Sequence, residues 1–203
     1  VTAGGYHSRR LLRSQLGMGI CFSRRPSAAS APGQEEVLFF PDPAMPCYRA
    51  LYGKPCRRAN CKYTHELTSL VRLLLEIRKA RRTLVVCVFT ITCTEIADEI
   101  VAAAKERGVK VRVITDDVKM DDQGSKAFDL KAKGIRVRHD HNSLSHMHHK
   151  FAVVDNKTLL NGSFNWTRGA VLNNRENVVI SHNPALVRAF CGEFNKLWAL
   201  YGG

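Results

Sequence analysis

The chain has 203 residues, with 31 lysines and arginines against 18 aspartates and glutamates and a formal net charge of +13. Its 45% hydrophobic and 24% charged residues are typical of a folded globular chain and exclude wholesale disorder, and no apolar run is long enough to predict a transmembrane helix. The positive charge favours polyanionic partners, either nucleic acid or an acidic membrane surface.

Residues 1–34 form a basic N-terminal segment without any acidic residue. This composition is typical of an organelle targeting segment or of a disordered tail, and both interpretations stay open. The chain begins with Val1 and not with Met, so the sequence also leaves open a membrane anchor further upstream. We predict a folded domain over 37–46 and 66–201, interrupted by a small separate segment at 47–65.

The folded part is predicted to alternate between strands and helices. Val37–Phe40 reads as a short strand that Pro41 ends, and the apolar spacing within 67–79 predicts a helix. By the same criteria the later elements are strands at 84–91, 109–115, 135–138, 150–154, 158–160 and 177–181, and helices at 96–105, 125–133 and 184–200. This alternation predicts a layered α/β fold with a mixed sheet.

Three cysteines and a histidine follow a regular spacing in the segment 47–65. Cys47, Cys56, Cys61 and His65 are separated by eight, four and three residues. Sulfur and imidazole ligands in such a short segment suit a tetrahedral structural zinc ion, which would supply the folding energy that the segment cannot obtain from a core. The spacing resembles CCCH zinc fingers, which implies contact with single-stranded RNA. The alternative is three unrelated thiols and a surface histidine.

A candidate catalytic group lies in the predicted hairpin at 148–165. His148 and Lys150 are two residues apart on a strand and therefore project to the same side. Asp155 ends that strand, and the returning strand brings Ser163 and Asn165 back towards its start. Glu176 follows closely enough in sequence to approach the same place.

This group suits the cleavage of phosphodiesters. A neutral imidazole at His148 is a nucleophile for phosphorus that needs no metal, and a carboxylate can orient it. Lys150, Ser163 and Asn165 would bind the nonbridging oxygens, while Asp155 and Glu176 are candidate acid–base or orienting groups. Two structural alternatives stay open: Asp155 can stabilise the hairpin without touching substrate, and Glu176 can be a surface carboxylate.

The pattern His148-x-Lys150-x4-Asp155, followed by Gly162-Ser-x-Asn165, resembles the HKD signature of the phospholipase D superfamily. The resemblance extends over about residues 67–200 and includes the Glu176-Asn177 pair. It implies an α/β/α sandwich with a mixed sheet and a covalent phosphohistidine intermediate. It also implies a homodimer, because the family chemistry uses two such histidines and this chain supplies one.

A CCCH segment before a single HKD domain resembles the mitochondrial branch of this superfamily. That resemblance implies one of two substrates, single-stranded RNA or the anionic phospholipid cardiolipin. The basic charge favours an endoribonuclease acting on precursors of small guide RNAs (piRNAs) over a cardiolipin hydrolase that produces phosphatidic acid. The third alternative is a non-catalytic RNA-binding scaffold. The resemblance further implies attachment to the mitochondrial outer membrane, with the catalytic domain facing the cytosol.

Overall fold

The computed structural model describes residues 35–116, 118, 124–142 and 144–202, so the predicted tail at 1–34 lies outside the described residues. Seven strands and six helices are assigned within these ranges. In chain order they are β1 (Glu36–Phe39), α1 (Tyr48–Leu51), α2 (Ser69–Arg78), β2 (Thr83–Val88), α3 (Thr94–Lys105), β3 (Lys110–Thr115), α4 (Ala127–Ala132), β4 (Arg136–His139), β5 (Lys150–Val154), β6 (Thr158–Gly162), α5 (Arg168–Leu172), β7 (Asn177–Ser181) and α6 (Pro184–Leu200).

The seven strands form one mixed sheet in the order β1-β7-β6-β5-β2-β3-β4. Strands β2, β3 and β4 are parallel, and the pairs β2–β5, β5–β6, β6–β7 and β1–β7 are antiparallel. The ends of β2, β3 and β6 therefore meet the starts of β5 and β7 at one edge of the sheet. The ends of β1 and β4 lie at the same edge, which therefore receives loops from all seven strands and can collect side chains that are distant in sequence.

Helices cover both faces of the sheet and bury two separate apolar clusters. On one face, Leu70 and Leu74 of α2 and Ile96 of α3 pack against the sheet and are fully buried. On the other face, Phe194 of α6 joins a second cluster with Phe151 of β5. Neighbouring residues of one strand thus enter opposite layers, as the period-two pattern requires. The predicted α/β/α sandwich is confirmed.

The predicted elements are present with ends shifted by at most three residues, and two short helices were not predicted. Helix α5 begins after Thr167, whose hydroxyl accepts a hydrogen bond from the Ala170 N–H at 3.0 Å. Helix α1 has a single turn inside the Cys/His segment. Helices this short show no apolar periodicity in the sequence. Among the described residues, no helix has the length and apolar character needed to cross a bilayer.

The segment 47–65 lies between β1 and α2, and its two ends are joined by backbone hydrogen bonds. The Cys47 N–H donates to the Thr64 carbonyl at 2.8 Å, and the Thr64 N–H donates to the Met45 carbonyl at 2.9 Å. Arg78 of α2 connects the segment to the main domain, because its guanidinium lies 5.2 Å from the Tyr52 ring centroid. The segment is therefore a compact insertion anchored on α2.

Candidate active site

His148 and Lys150 lie at the start of β5 and contact the same aromatic ring. The His148 ring meets Phe89 edge-on at a centroid distance of 4.6 Å, and the Lys150 Nζ lies 5.1 Å from the Phe89 centroid. Lys150 also donates from Nζ to the His148 carbonyl at 2.7 Å. The intervening His149 contacts Phe151, a residue of the opposite layer, at 5.4 Å. The structure thus brings His148 and Lys150 to the same side of the sheet.

The surroundings of His148 favour its neutral form. Burial lowers the pKa of the His148 imidazole, and the positive charges of Lys150 and His146 lower it further, while Asp116 acts in the opposite direction. Burial also lowers the pKa of Lys150, with Glu176 opposing that effect. A neutral imidazole has a free lone pair, so His148 is suited to attack phosphorus near neutral pH.

Ser163 and Glu176 form a hydrogen-bonded pair beside this group. The Ser163 hydroxyl donates to Glu176 Oε2, and the Asn177 N–H donates to Ser163 Oγ at 3.1 Å. Asn174 Nδ2 donates to the other Glu176 oxygen at 3.2 Å. The Ser163 proton is therefore engaged by Glu176, and Glu176 is held by its neighbours. This network fixes the Glu176 carboxylate, whose negative charge acts on Lys150.

Asn165 presents an unpaired polar atom in the same region. Its side-chain Oδ1 is buried and has no hydrogen-bond partner among the described residues. A buried amide oxygen without a partner costs free energy unless a ligand or water satisfies the group. Phe164 and Trp166, on either side of it, are buried in the core.

Gly162 allows β6 and β7 to approach closely at this edge. A Cβ at this position would lie 1.9 Å from the Asn177 carbonyl oxygen and 2.8 Å from the Asn177 carbonyl carbon. Only glycine fits there without moving the backbone. The close approach also brings the Ser163 N–H to the Asn177 carbonyl at 3.1 Å.

Asp155 lies at the opposite end of β5 from His148. Its carboxylate accepts hydrogen bonds from the backbone N–H groups of Arg81, Arg82 and Thr83, at 2.9, 2.7 and 2.8 Å. These bonds join the β5–β6 turn to the start of β2. The contacts favour the structural alternative for Asp155, because from this edge of the sheet its side chain does not reach a phosphate at His148.

Three further residues of the site, Phe89, Asp116 and His146, were not identified from the sequence. Asp116 follows β3 directly and is fully buried, and its Oδ2 lies 3.0 Å from His146 Nδ1. The same oxygen accepts the Met147 N–H at 3.1 Å. An acidic residue directly after a buried strand was the available signal for Asp116. For Phe89 there was none, since phenylalanine is ordinary in a buried strand.

The Cys/His segment brings its four predicted ligands together. The ligand atoms of Cys47, Cys56, Cys61 and His65 all lie within 4.8 Å of one another. His65 Nε2 is buried and has no hydrogen-bond partner among the described residues. Burial raises the pKa of Cys47, but hydrogen bonds, chiefly from Ala50 and His65, bring it down to about 6. The donor set fits a tetrahedral ion with Zn–S bonds of about 2.3 Å.

Comparison with known proteins agrees with the fold described above. The family model described as "Cardiolipin synthase, PLD-like domain" matches residues 73–198. The chain is 45% identical over 181 residues to a mitochondrial cardiolipin hydrolase of Chlamydomonas reinhardtii, covering 88% of this chain and 80% of that protein. The Homo sapiens protein of that name is 39% identical over 172 residues, covering 81% and 67%.

A solved structure shows the same architecture. Nuc from Salmonella typhimurium, described as a phospholipase D family member, superposes with a TM-score of 0.64 at 26% identity, covering 82% of this chain and 95% of Nuc. NucT from Helicobacter pylori superposes with a TM-score of 0.60 at 21% identity, which shows the shared fold. With the family model matching most of the domain, the chain belongs to the PLD-like family and is a phosphodiesterase of the phospholipase D superfamily.

Proposed function

We propose that the chain hydrolyses phosphodiesters through a covalent intermediate on His148, without a catalytic metal. A ring nitrogen of His148 attacks phosphorus, a P–N bond forms, and the bond to the leaving ester oxygen breaks as that oxygen takes a proton. Water then attacks the phosphohistidine, which releases the phosphoryl product and the free imidazole. The supporting observation is an exposed imidazole with a lowered pKa beside the Lys150 ammonium.

The second histidine of the reaction comes from a second copy of the chain in this proposal. A two-fold interface places His148 of each protomer at one shared phosphate, because a two-fold axis brings identical surfaces together. One His148 is the nucleophile, and the other protonates the leaving oxygen and then activates water. Mixing wild-type protein with excess His148→Asn protein tests this arrangement. Activity per wild-type chain should fall as mixed dimers form, whereas unchanged specific activity would contradict a shared site.

Single-stranded RNA is the substrate that the exposed surface favours. The net charge is +13, and the 47–65 segment carries five lysine and arginine side chains and two exposed tyrosines, Tyr48 and Tyr63. Basic side chains bind the phosphate backbone, and exposed aromatic rings stack on unpaired bases. We therefore propose an endoribonuclease that is selective for single strands and acts on precursors of small guide RNAs.

Cardiolipin is the second candidate substrate, and the names of the relatives favour it. The Chlamydomonas reinhardtii and Homo sapiens relatives are both named mitochondrial cardiolipin hydrolase. In this alternative, the same His148 chemistry releases phosphatidic acid from the lipid. The relatives' names also support a mitochondrial location, and we propose the outer membrane surface facing the cytosol.

Zinc in the 47–65 segment would be structural in this proposal. Cys47, Cys56, Cys61 and His65 would hold the ion, and its binding energy would order the insertion. The cluster belongs to the segment between β1 and α2, whereas His148 precedes β5 at the sheet edge. No step of the phosphodiester reaction is therefore assigned to the metal.

One assay separates the substrate candidates. Purified protein is incubated with single-stranded RNA, duplex RNA and vesicles containing cardiolipin, with His148→Asn protein as the blank. We expect cleavage of single-stranded RNA that falls by at least about 1,000-fold in the variant, since removal of a catalytic nucleophile costs that much or more. Equal cleavage by the variant would overturn the assignment of His148, and cleavage of cardiolipin alone would select the second candidate.

A further inference from the structure

His146 is a second imidazole of the site that the reaction proposed above does not use. Its ring lies 5.4 Å from the Phe89 centroid, and Phe89 also contacts His148. Its Nδ1 is bound to Asp116 Oδ2 at 3.0 Å, and Asp116 is fully buried while the His146 side chain is 49% exposed. The buried carboxylate thus holds one nitrogen of a ring that is otherwise open to solvent.

The hydrogen bond to Asp116 determines which atom of His146 can meet a ligand. Because Nδ1 faces the carboxylate, Nε2 is the nitrogen that remains, and in the protonated ring it is a donor. With Nδ1 on the Asp116 carboxylate, His146 can donate from Nε2 to an anionic ligand in solvent while the ring stays in place.

His146 also lines an open cavity that extends to Met147, the residue before His148. The cavity has a volume of about 330 Å³, and its polar lining includes His141, Asn142, Ser145 and Tyr201. One carboxylate, Asp140, also lines it, and its Oδ2 accepts the Met147 N–H at 3.1 Å. The cavity is large enough for a phosphate group, and its lining includes hydroxyl and imidazole groups that can bind one. The Asn142 amide is already bonded to Ser145 Oγ, at 2.6 Å.

The separation of His146 and His148 can be compared with the linkage between neighbouring phosphates in the two candidate substrates. Residues two apart on an extended chain are separated by about 6–7 Å. In RNA, adjacent phosphorus atoms are joined through two ester oxygens and three carbons, C5′, C4′ and C3′. In cardiolipin, the two phosphorus atoms are also joined through two ester oxygens and three carbons, those of the central glycerol. Both candidate substrates therefore carry a second phosphate at a similar distance from the phosphate that is cleaved.

We propose that His146, held by Asp116, forms a subsite for the phosphate next to the one attacked by His148. This inference rests on the proposed function and deepens it, because it defines the substrate class as compounds with two phosphodiesters joined by a three-carbon linker. The subsite binds the neighbouring phosphate through His146 Nε2, and the groups of the adjacent cavity surround it. It contributes to substrate binding and takes no part in bond breaking.

The test compares substrates with one and with two phosphodiesters. The RNA pair is the dinucleotide UpU and the trinucleotide UpUpU, and the lipid pair is phosphatidylglycerol and cardiolipin in otherwise identical vesicles. His146→Asn retains an amide that can donate to Asp116 but removes Nε2. We expect this variant to raise KM roughly tenfold for the two-phosphate member only, the loss expected for one charge-assisted hydrogen bond, with kcat nearly unchanged.

The matched control is His149→Asn, which removes an imidazole from the opposite side of the same segment. It should leave the KM ratio of each substrate pair at the wild-type value. If His146→Asn changes the KM ratio of the RNA pair alone or of the lipid pair alone, the subsite is assigned to that substrate. If His146→Asn leaves the KM ratio of both pairs unchanged, or raises KM equally for one- and two-phosphate substrates, the proposal is overturned.

A binding measurement keeps the subsite testable if the proposed function is wrong. In the His148→Asn background, the dissociation constants of UpU and UpUpU, and of vesicles with phosphatidylglycerol or cardiolipin, are measured with and without His146→Asn. The subsite predicts a roughly tenfold weakening for the two-phosphate ligands only. If the wild-type protein cleaves none of the four compounds, the proposed function fails. The effect of His146→Asn on the dissociation constants still decides whether the subsite exists.

Discussion

At His148, partial desolvation and the neighbouring positive charges act together to lower the pKa of the exposed imidazole. The sequence predicted the pairing of His148 with Lys150, because period two on a strand places both on one side. It did not predict Phe89 or Asp116, which come from the ends of β2 and β3. Phe89 joins the site through the antiparallel pairing of β2 with β5, and Asp116 through the parallel pairing of β3 with β2. Both are long-range contacts that local sequence patterns do not encode.

Replacing Lys150 tests the electrostatic part of this environment. Lys150→Met removes a positive charge that disfavours the imidazolium, so the pKa of His148 should rise towards its usual 6.5. NMR titration of the His148 ring measures the change, and kcat should fall because phosphate stabilisation is lost. The control is Lys157→Met, which removes an equal charge from the exposed turn after β5. A His148 pKa that is unchanged by Lys150→Met would refute the electrostatic role.

At the scale of single elements, the hairpin of β5 and β6 shows which features of an element are local in sequence and which are not. Strand β5 has the predicted bounds, and β6 extends two residues further to Gly162 because the β7 backbone pairs with it there. Propensity and turn residues are local, so they predict such a hairpin well. The extension depends on a partner strand that is distant in sequence, and the sequence pattern therefore ended β6 too early.

Gly162→Ala should disrupt the β6–β7 edge of the site. The added Cβ meets the Asn177 carbonyl group, so the two strands must separate, at a cost of about 1–3 kcal/mol of unfolding free energy. Activity should fall as well, because the Ser163–Glu176 contact spans these strands. Chemical denaturation and kcat/KM report the two effects.

Gly192→Ala on α6 is the matched control for Gly162→Ala. Nothing lies within 4 Å of its Cβ position, so alanine should stabilise the helix by about 0.5–1 kcal/mol. If Gly162→Ala is as stable and active as the wild-type protein, the close approach of β6 and β7 is not needed for the site.

The substitution Asp155→Asn tests whether the Asp155 carboxylate has a structural or a catalytic role. Burial alone would raise the pKa of Asp155, but the backbone N–H groups of Thr83, Arg82 and Arg81 lower it below its usual 3.8. The ionised form therefore contributes stability above about pH 4, and this contribution is lost as the pH falls through the lowered pKa. We expect a loss of about 1–3 kcal/mol at pH 7 that shrinks on acidification.

Activity assays complete the Asp155→Asn test. At a temperature where the variant is folded, it should retain activity well above that of His148→Asn. A fully folded Asp155→Asn protein with activity as low as that of His148→Asn would show that this carboxylate takes part in the chemistry.

At the scale of the whole molecule, the chain combines a rigid catalytic sandwich with a small Cys/His insertion. The insertion has few buried apolar groups of its own, and its ends are tied to the domain by backbone hydrogen bonds and by Arg78. The sequence predicted the four ligands from their spacing. It could not predict the docking on α2, since the Arg78 contacts depend on how the insertion folds back onto the domain.

Metal removal should affect the insertion more than the sandwich. We expect one zinc per chain by elemental analysis, and its loss to a strong chelator or by Cys56→Ser should lower the melting temperature and expose 47–65 to proteolysis. Hydrolysis of UpU should persist at more than about half of its rate, because a structural site supplies no catalytic group. Complete loss of UpU hydrolysis in folded, zinc-free protein would place the metal in the reaction.

The most direct test of the central claim is detection of the phosphohistidine. Protein turning over substrate is quenched in alkaline denaturant, and the peptides that contain residues 146–157 are analysed by mass spectrometry. A phosphoryl adduct on His148 that appears before product, decays with turnover and is absent from His148→Asn protein is the predicted result. Continued turnover without any adduct, or an adduct confined to another residue, would contradict covalent catalysis by His148.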